Sequence, residues 1–477
     1  MSEPSEQQHR RGLYQAGPSR ARGLAYAAGY CLLLAAVVNA FTQIRALGER
    51  WFGSLETPAA GVIDATKTGG LHHVLAALGV IIMLTRGLGA VCLRFGQPAV
   101  IGEVVAGILL GPSVLGSLWP EAQAQLLPAA VLGQLSALAQ LGVVLYMFLV
   151  GLELDLQLLR SRSRATMSIS HASIALPFLL GAALALWIYP ELAPPGSSFG
   201  IFAMFIGVSM SVTAFPVLAR ILRDRGLSRS ELGTIALGSA AVDDVTAWCL
   251  LALIVSATRA SSGAAVLALG GVIAFGMFML LVVEPRVRQV LGRRLRQPRV
   301  SHSALALSFV GVFACAWVTE AIGVHAVFGA FLAGAVIPHD SALARALARQ
   351  LEDVVLVLLL PPFFALTGAR TELGLLSGSG AWLTCAAIIG VACLGKLGGS
   401  AFVARLCGAR WRDAWMLGAL LNTRGLVELI VLSVGLELGV LSKPLFAMLV
   451  LMALVTTFMT APLLRFLERG EQREASV

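Results

Sequence analysis

Fourteen apolar stretches, each bounded by charge, glycine or proline, follow one another along this chain: 24–44, 71–93, 98–118, 131–152, 166–189, 198–222, 231–258, 263–283, 301–321, 323–338, 347–369, 380–407, 412–437 and 441–466. A helix needs about 20 apolar residues to cross the hydrocarbon core of a bilayer. A chain so divided is read as a polytopic helical membrane protein, with the short 323–338 stretch either spanning or re-entrant. Composition points the same way. The 477 residues are 57% hydrophobic and 13% charged, with mean hydropathy +0.84, whereas a soluble domain carries about 45–50% apolar and roughly 25% charged residues. These figures exclude a soluble enzyme, a nucleic-acid-binding protein and a disordered chain.

The positive charges test the count. Of 35 lysines and arginines, three fall within stretches and away from their ends: Arg86, Lys396 and Arg424. With a cytoplasmic N-terminus, the tails and every second loop collect 26 of the other 32, and the opposite side receives Arg45, Arg50, Lys67, Arg259, Arg370 and Lys443. The densest clusters are Arg160/Arg162/Arg164, Arg220/Arg223/Arg225/Arg229 and the arginines from Arg286 to Arg299. Positive residues concentrate on the cytoplasmic side, so the pattern predicts an even number of spans with both termini inside. The net charge of +9 is thereby a topological signal, and no nucleic-acid partner is expected. The first stretch follows four arginines, as a signal peptide does, but its length predicts a retained anchor helix over 24–44 after a tail over 1–23. The seven cysteines show no metal-ligand spacing and read as small packing residues.

Charge inside a span costs about 2.5–3.5 kcal/mol at mid-bilayer on insertion scales and marks functional candidates. Here those residues are Glu103, Asp243, Asp244, Glu320, Lys396, Arg424 and Glu428. Asp243 and Asp244 stand mid-span in SAAVDDVTAW. Adjacent helical residues differ by about 100° around the axis, so the two carboxylates cannot share a partner. One is expected to meet a fixed cation, and the other to face an aqueous cavity. Like charges this close are also coupled in their titration. Lys396, in the glycine-rich LGKLGGSAF, is the lone lysine away from the ends of a span, and its simplest partner is one of the two aspartates, as a structural ion pair or as a proton carrier.

Two stretches carry helix breakers at mid-depth: GVSMSVTAFPVL, with Ser209, Ser211, Thr213 and Pro216, and LLNTRGLVELIVL, with Asn422, Thr423, Arg424, Gly425 and Glu428. Proline frees a carbonyl, and nearby hydroxyls and amides can satisfy it or coordinate a cation. These are the sixth and thirteenth stretches and so run oppositely. Interrupted helices at matching positions of two halves are the sequence mark of a transporter site. Arg424 and Glu428, four apart on one face, are expected to pair. Glu103 and Glu320 are read as entrance-lining or packing residues, with Glu320 beside His325.

With these motifs in view, the chain resembles the Kef-type monovalent cation:proton antiporters, in particular the plant cation/proton exchanger branch and its bacterial relatives. The matching stretches are PAVIGEVVAGILLGPSVLG, LGVVLYMFLVGLELD, SMSVTAFPVLARIL, GSAAVDDVTAW, GVHAVFGAFLAGAVIP and LLNTRGLVELIVL, within 71–466. The resemblance implies an all-α fold of about 14 transmembrane helices: a thirteen-helix exchanger domain over 71–466 with inverted repeats and two crossing discontinuous helices, plus the extra helix over 24–44 and a short tail over 467–477. It implies a homodimer divided into a dimerisation domain and a mobile core. Asp244 is similar to the ion-binding carboxylate and Asp243 to the partner of Lys396. Thr213 falls in the unwound stretch, so Asp244 and Thr213 are the expected transient ligands of the monovalent cation. Ser211, Asn422, Thr423, Arg424, Glu428 and Glu103 are expected to support them. Many plant relatives have Asn at the place of Asp243, and a second acid is associated with electrogenic exchange. Kef proteins carry a nucleotide-binding domain after the membrane part; none follows here, so neither nucleotide gating nor any cofactor is expected.

The function so implied is exchange of K⁺ or Na⁺ for protons across the cytoplasmic membrane, without covalent or enzymatic chemistry. A cation channel or uniporter on the same fold is the second reading. A proton-pumping subunit of a redox complex predicts lysines and glutamates midway along successive spans, and the single buried lysine argues against it.

Overall fold

The computed structural model describes residues 71–153, 164–227, 230–259, 262–294, 301–322 and 325–474, with a few positions between 36 and 47. The expected anchor helix over 24–44 and the tail over 1–23 lie outside the described residues. Everything described from residue 71 on is helix, turn or loop. We label thirteen segments: α1 (Leu71–Arg94), α2 (Ala99–Leu110), α3 (Ala129–Glu153), α4 (Arg164–Leu192), α5a (Phe199–Ser211) with α5b (Phe215–Asp224), and α6 (Glu231–Arg259). Next come α7 (Ser262–Phe278, continued by a π turn into Glu284–Arg294), α8 (His302–Ile322), α9 (Ala326–Ala335) and α10 (Ala342–Val354, continued by a π turn into Leu360–Ala369). The last are α11 (Ser379–Cys393, a π turn at Leu394–Gly398, then Gly399–Leu406), α12a (Trp411–Leu421) with α12b (Leu426–Glu437), and α13 (Lys443–Glu474).

Among the described residues, eleven helices are long and apolar enough to cross a membrane, and the pair α12a/α12b, bent by 45° at its break, makes a twelfth. The protein is a multi-pass membrane protein. Two stretches are not plain continuous spanning helices, although Ala99–Leu118 is long and apolar enough to cross. The 98–118 stretch is helical only to Leu110, because Gly111 and Pro112 interrupt it before a short turn of helix at Leu115–Leu118. The 323–338 stretch forms a ten-residue helix, α9, about 15 Å long at 1.5 Å per residue against a core of about 30 Å.

The segments sort into two bundles. In one, α3 packs on α9 and α10, α2 on α1 and α10, and α8 on α9; in the other, α4, α5a, α6, α11, α12 and α13 pack among themselves, and α7 leans on α6. α9 is short but buried along its whole length, because glycines let it lie directly on α3. A Cβ at Gly334 would land on the Phe148 carbonyl, and one at Gly151 on the Phe331 carbonyl. Close approach of this kind is how helices associate where no water drives them together. Gly334→Leu is therefore expected to destabilise the first bundle by roughly 1–3 kcal/mol, seen as a lower melting temperature in detergent. A wild-type melting curve would show that α3 and α9 are not in contact.

Candidate ion-exchange site

The second bundle is built around two breaks. α5 unwinds at 212–214 and α12 at 422–425, and the unwound strands bond to each other, with the Ala214 N–H donating to the Thr423 carbonyl at 3.0 Å. The cause is local. Pro216 opens α5b, and Gly425, extended at φ 177°, precedes α12b. A helix end leaves its last four carbonyls without intrahelical donors, and at this depth nothing but protein can satisfy them.

Two buried cations do so for α5a. The Arg424 guanidinium donates to the Ser209 carbonyl, to the Met210 carbonyl at 2.6 Å, and to Glu428 Oε2 at 3.0 Å. Lys396 Nζ donates to the Ser211 carbonyl, to the Ser173 carbonyl at 2.9 Å and to Asp243 Oδ2 at 2.9 Å. An ammonium has three donors, and these contacts use all of them. Cations at a helix C-terminus also meet the negative end of its dipole. The break in α12 is held by α13: the Thr457 hydroxyl donates to the Arg424 carbonyl at 2.8 Å and accepts from the Arg424 N–H at 3.0 Å. Thr423 and Thr460 hydroxyls lie 3.4 Å apart.

The adjacent aspartates of α6 have opposite surroundings. Asp243 is saturated: Oδ1 accepts from Ser170 at 2.8 Å, and Oδ2 accepts from Ser173 at 2.6 Å, Thr213 at 2.7 Å and Lys396. Asp244 is 2% exposed, and neither of its oxygens has a hydrogen-bond partner among the described residues. The Phe215 N–H, first of α5b, lies near the same carboxylate without making a hydrogen bond to it. Two cations, Lys396 and Arg424, thus face three carboxylates, Asp243, Asp244 and Glu428, and the negative charge left over falls on Asp244. A carboxylate taken out of water without a partner is tenable only when a proton or a cation neutralises it.

Of the residues singled out in the sequence, the structure gathers Ser211, Thr213, Asp243, Asp244, Lys396, Thr423, Arg424 and Glu428 around the two breaks. Ser211 contributes its carbonyl to Lys396, and its hydroxyl, a single donor, is shared between the Gly207 and Ile174 carbonyls at 2.7 and 3.0 Å. Thr213 turns its hydroxyl to Asp243, with the Leu421 carbonyl 3.2 Å away. Asn422 lies at the second break with its Nδ2 toward Cys393 Sγ at 3.9 Å and its Oδ1 without a partner among the described residues. Glu103 stands apart: it is on α2 against Gly89 of α1, and its charged neighbours are Arg86 and Arg220. Glu320 and His325 line a cavity of about 390 Å³ between the bundles, together with Gln140, Ser433, Arg370 and Glu437. The ion pairs Arg370–Glu437 at 3.2 Å and Lys443–Glu372 at 2.8 Å connect the bundles beside it. Among the described residues, no three His, Cys, Asp or Glu side chains gather as a metal-binding group.

The sequence reading missed Ser170 and Ser173 on α4 and Thr457 and Thr460 on α13. The signal for the first pair was present: two serines three apart, the second exactly one helical hydrogen bond ahead of Pro177.

A family model described as the transmembrane sodium/hydrogen exchanger matches residues 78–466. The chain belongs to that family. It is 43% identical over 398 residues to Na(+)/H(+) antiporter NhaS4 of Synechocystis sp., covering 83% of this chain and 97% of the relative. It is 39% identical to Cation/H(+) antiporter 17 of Arabidopsis thaliana, over 86% of this chain and 51% of the relative. Against K(+)/H(+) antiporter 1 of Saccharomyces cerevisiae the identity is 35%, over 79% of this chain and 44% of the relative. The chain thus spans nearly all of the first relative and about half the length of the other two. Among solved structures, it shares its fold with the sodium proton antiporter MjNhaP1 of Methanocaldococcus jannaschii, at a TM-score of 0.58 and 14% identity, covering 82% of this chain and 96% of that one.

Removing one partner of a buried ion pair typically costs about 3–5 kcal/mol, because the other charge is stranded. Asp243→Ala and Lys396→Ala are each expected to lower the melting temperature, and the double variant to lose less than the sum of the two. Strict additivity in detergent would show that the pair does not hold the site.

Proposed function

We propose that this exchanger-family chain is a secondary antiporter that trades K⁺ or Na⁺ for protons across the cytoplasmic membrane, with its arginine-rich face and both termini inside. The observation that carries the reading is the unpartnered carboxylate of Asp244 next to a saturated Asp243. A proton closes the charge of Asp244 by a covalent O–H; a partly dehydrated monovalent cation closes it by coordination. The two occupy the same oxygens, so each excludes the other and the fluxes are coupled. The hydroxyls, carbonyls and cations around the breaks hold the remaining charges balanced, so the exchanged ion is the variable charge of the site. Presentation to either side is by displacement of the second bundle against the first, as in transporters whose site lies at interrupted helices. The homodimer implied by the resemblance belongs to the same proposal, with the first bundle as its fixed part. No catalytic chemistry or cofactor is invoked.

Asp244→Asn keeps the shape of the side chain and removes the exchangeable charge. It is expected to abolish cation-dependent proton movement in proteoliposomes while folded protein is still recovered. In the wild-type protein, competition for one carboxylate requires the cation concentration for half-maximal exchange to rise as pH falls. Parallel assays with Na⁺, K⁺, Li⁺ and Rb⁺ read both effects. Cation flux without proton movement would instead mark a uniporter, and wild-type exchange by Asp244→Asn would remove the central claim.

A further inference from the structure

Proline inside a helix lacks the N–H that bonds the carbonyl four residues earlier. Within α4 one such residue is Pro177, and the carbonyl deprived of its helical donor is that of Ser173. It accepts from Lys396 Nζ instead, at 2.9 Å. The next carbonyl, that of Ile174, accepts from the Ser211 hydroxyl at 3.0 Å. Both carbonyls beside the interruption are therefore taken by the ion site: one by its ammonium, one by the last residue of α5a. Gly395, immediately before the lysine, lies against the same proline, and a Cβ there would come within 2.8 Å of Pro177 Cα. With no side chain between them, α11 reaches the gap in α4 at the register that delivers Lys396 to it.

We propose that Pro177 is a positioning residue for ion exchange: the acceptor it exposes fixes the Lys396 ammonium between Asp243 and the end of α5a, and so keeps Asp243 paired while Asp244 takes the exchanged ion. The role of Asp244 here rests on the exchange reading above; the anchoring of the lysine rests on geometry alone. Lys396 is fully buried, and its three donors are directed at acceptors from three different elements, with the Ser173 hydroxyl a longer fourth contact at 3.5 Å. An N–H at position 177 competes for the Ser173 carbonyl and weakens one of the three. The charged groups around the lysine are Asp243 and Asp244 on α6 and Arg424 and Glu428 on α12, while α4 and α5a offer it hydroxyls and carbonyls. A weaker hold on the ammonium is therefore felt directly by the carboxylates that face it.

The test separates the missing donor from the bend that proline imposes. Pro177→Ala supplies an N–H. The α-hydroxy analogue of alanine at the same position, introduced as a backbone ester, has the alanine side chain without that donor. In proteoliposomes, Pro177→Ala is expected to move the pH midpoint of exchange by about half a unit or more, and the ester to return it toward the wild-type value. An unchanged midpoint in Pro177→Ala, or identical behaviour of the alanine and its ester, overturns the proposal. If Pro177→Ala yields no folded protein, recovery of folded protein by the ester supports the proposal and its failure overturns it. A second measurement needs no transport. In detergent, Pro177→Ala is expected to lower the melting temperature of the wild-type protein more than that of Lys396→Met, and equal losses in the two backgrounds overturn the proposal. Should the wild-type protein move no protons on addition of any monovalent cation, the exchange reading falls, and the melting comparison alone decides what Pro177 does.

Discussion

A helix that stops halfway through a bilayer presents bare carbonyls where no water can reach them. α5a stops at Ser211, and the surrounding structure follows from what that requires. Donors strong enough to satisfy three carbonyls in so dry a place are supplied by a guanidinium and an ammonium. Two cations at that depth then call for carboxylates, and Glu428 and Asp243 pair with them at 3.0 and 2.9 Å. Asp243 gathers three hydroxyls as well, which leaves its neighbour in the chain with a charge that nothing in the protein matches. In the proposed exchange, Asp244 is made reactive toward ions by the completeness of everything next to it.

Much of this arrangement is legible in the amino-acid sequence, for physical reasons that also explain the omissions. Charge and helix breakers are rare at apolar depth, so Asp243, Asp244, Lys396, Arg424, Pro216 and Gly425 stand out against their surroundings. The i, i+4 spacing of Arg424 and Glu428 makes them neighbours on any helix, and they do pair at 3.0 Å, although Arg424 lies in the break and α12b begins only at Leu426. Serine and threonine do not stand out, because they commonly bond their own helix four residues back. Thr85 and Thr246 do so here, at 2.7 and 2.8 Å. Only contact across helices distinguishes Ser170, Ser173 and Thr457 from them. Glu103 shows the converse limit. Its charge marks it as exceptional, but which bundle an acid faces depends on helix rotation and packing, and it faces Arg86 and Arg220.

The two bundles differ in how they cohere. The first relies on glycines that let backbones touch, as between α3 and α9, and its interior is nearly free of charge. The second is tied by charged and hydroxyl groups concentrated at one depth. Between them lie a cavity and a pair of partly exposed ion pairs, Arg370–Glu437 and Lys443–Glu372. Exposed pairs of this kind typically contribute about 0–1 kcal/mol each, a small barrier to parting. Most helix-to-helix packing lies within the bundles, and one buried apolar cluster continues across them.

The bond from the Ala214 N–H to the Thr423 carbonyl has a mechanical meaning. It rivets two stretches of chain more than two hundred residues apart at the point where each has lost its own helical ladder. Neither helix can bend open at its gap without tearing a main-chain bond in a place where no solvent is present to replace it. Deformation is thereby steered away from the coordinating groups and toward the seam between the bundles. In the exchange proposed above, the ion rides inside a rigid body, its cage carried whole from one side of the membrane to the other.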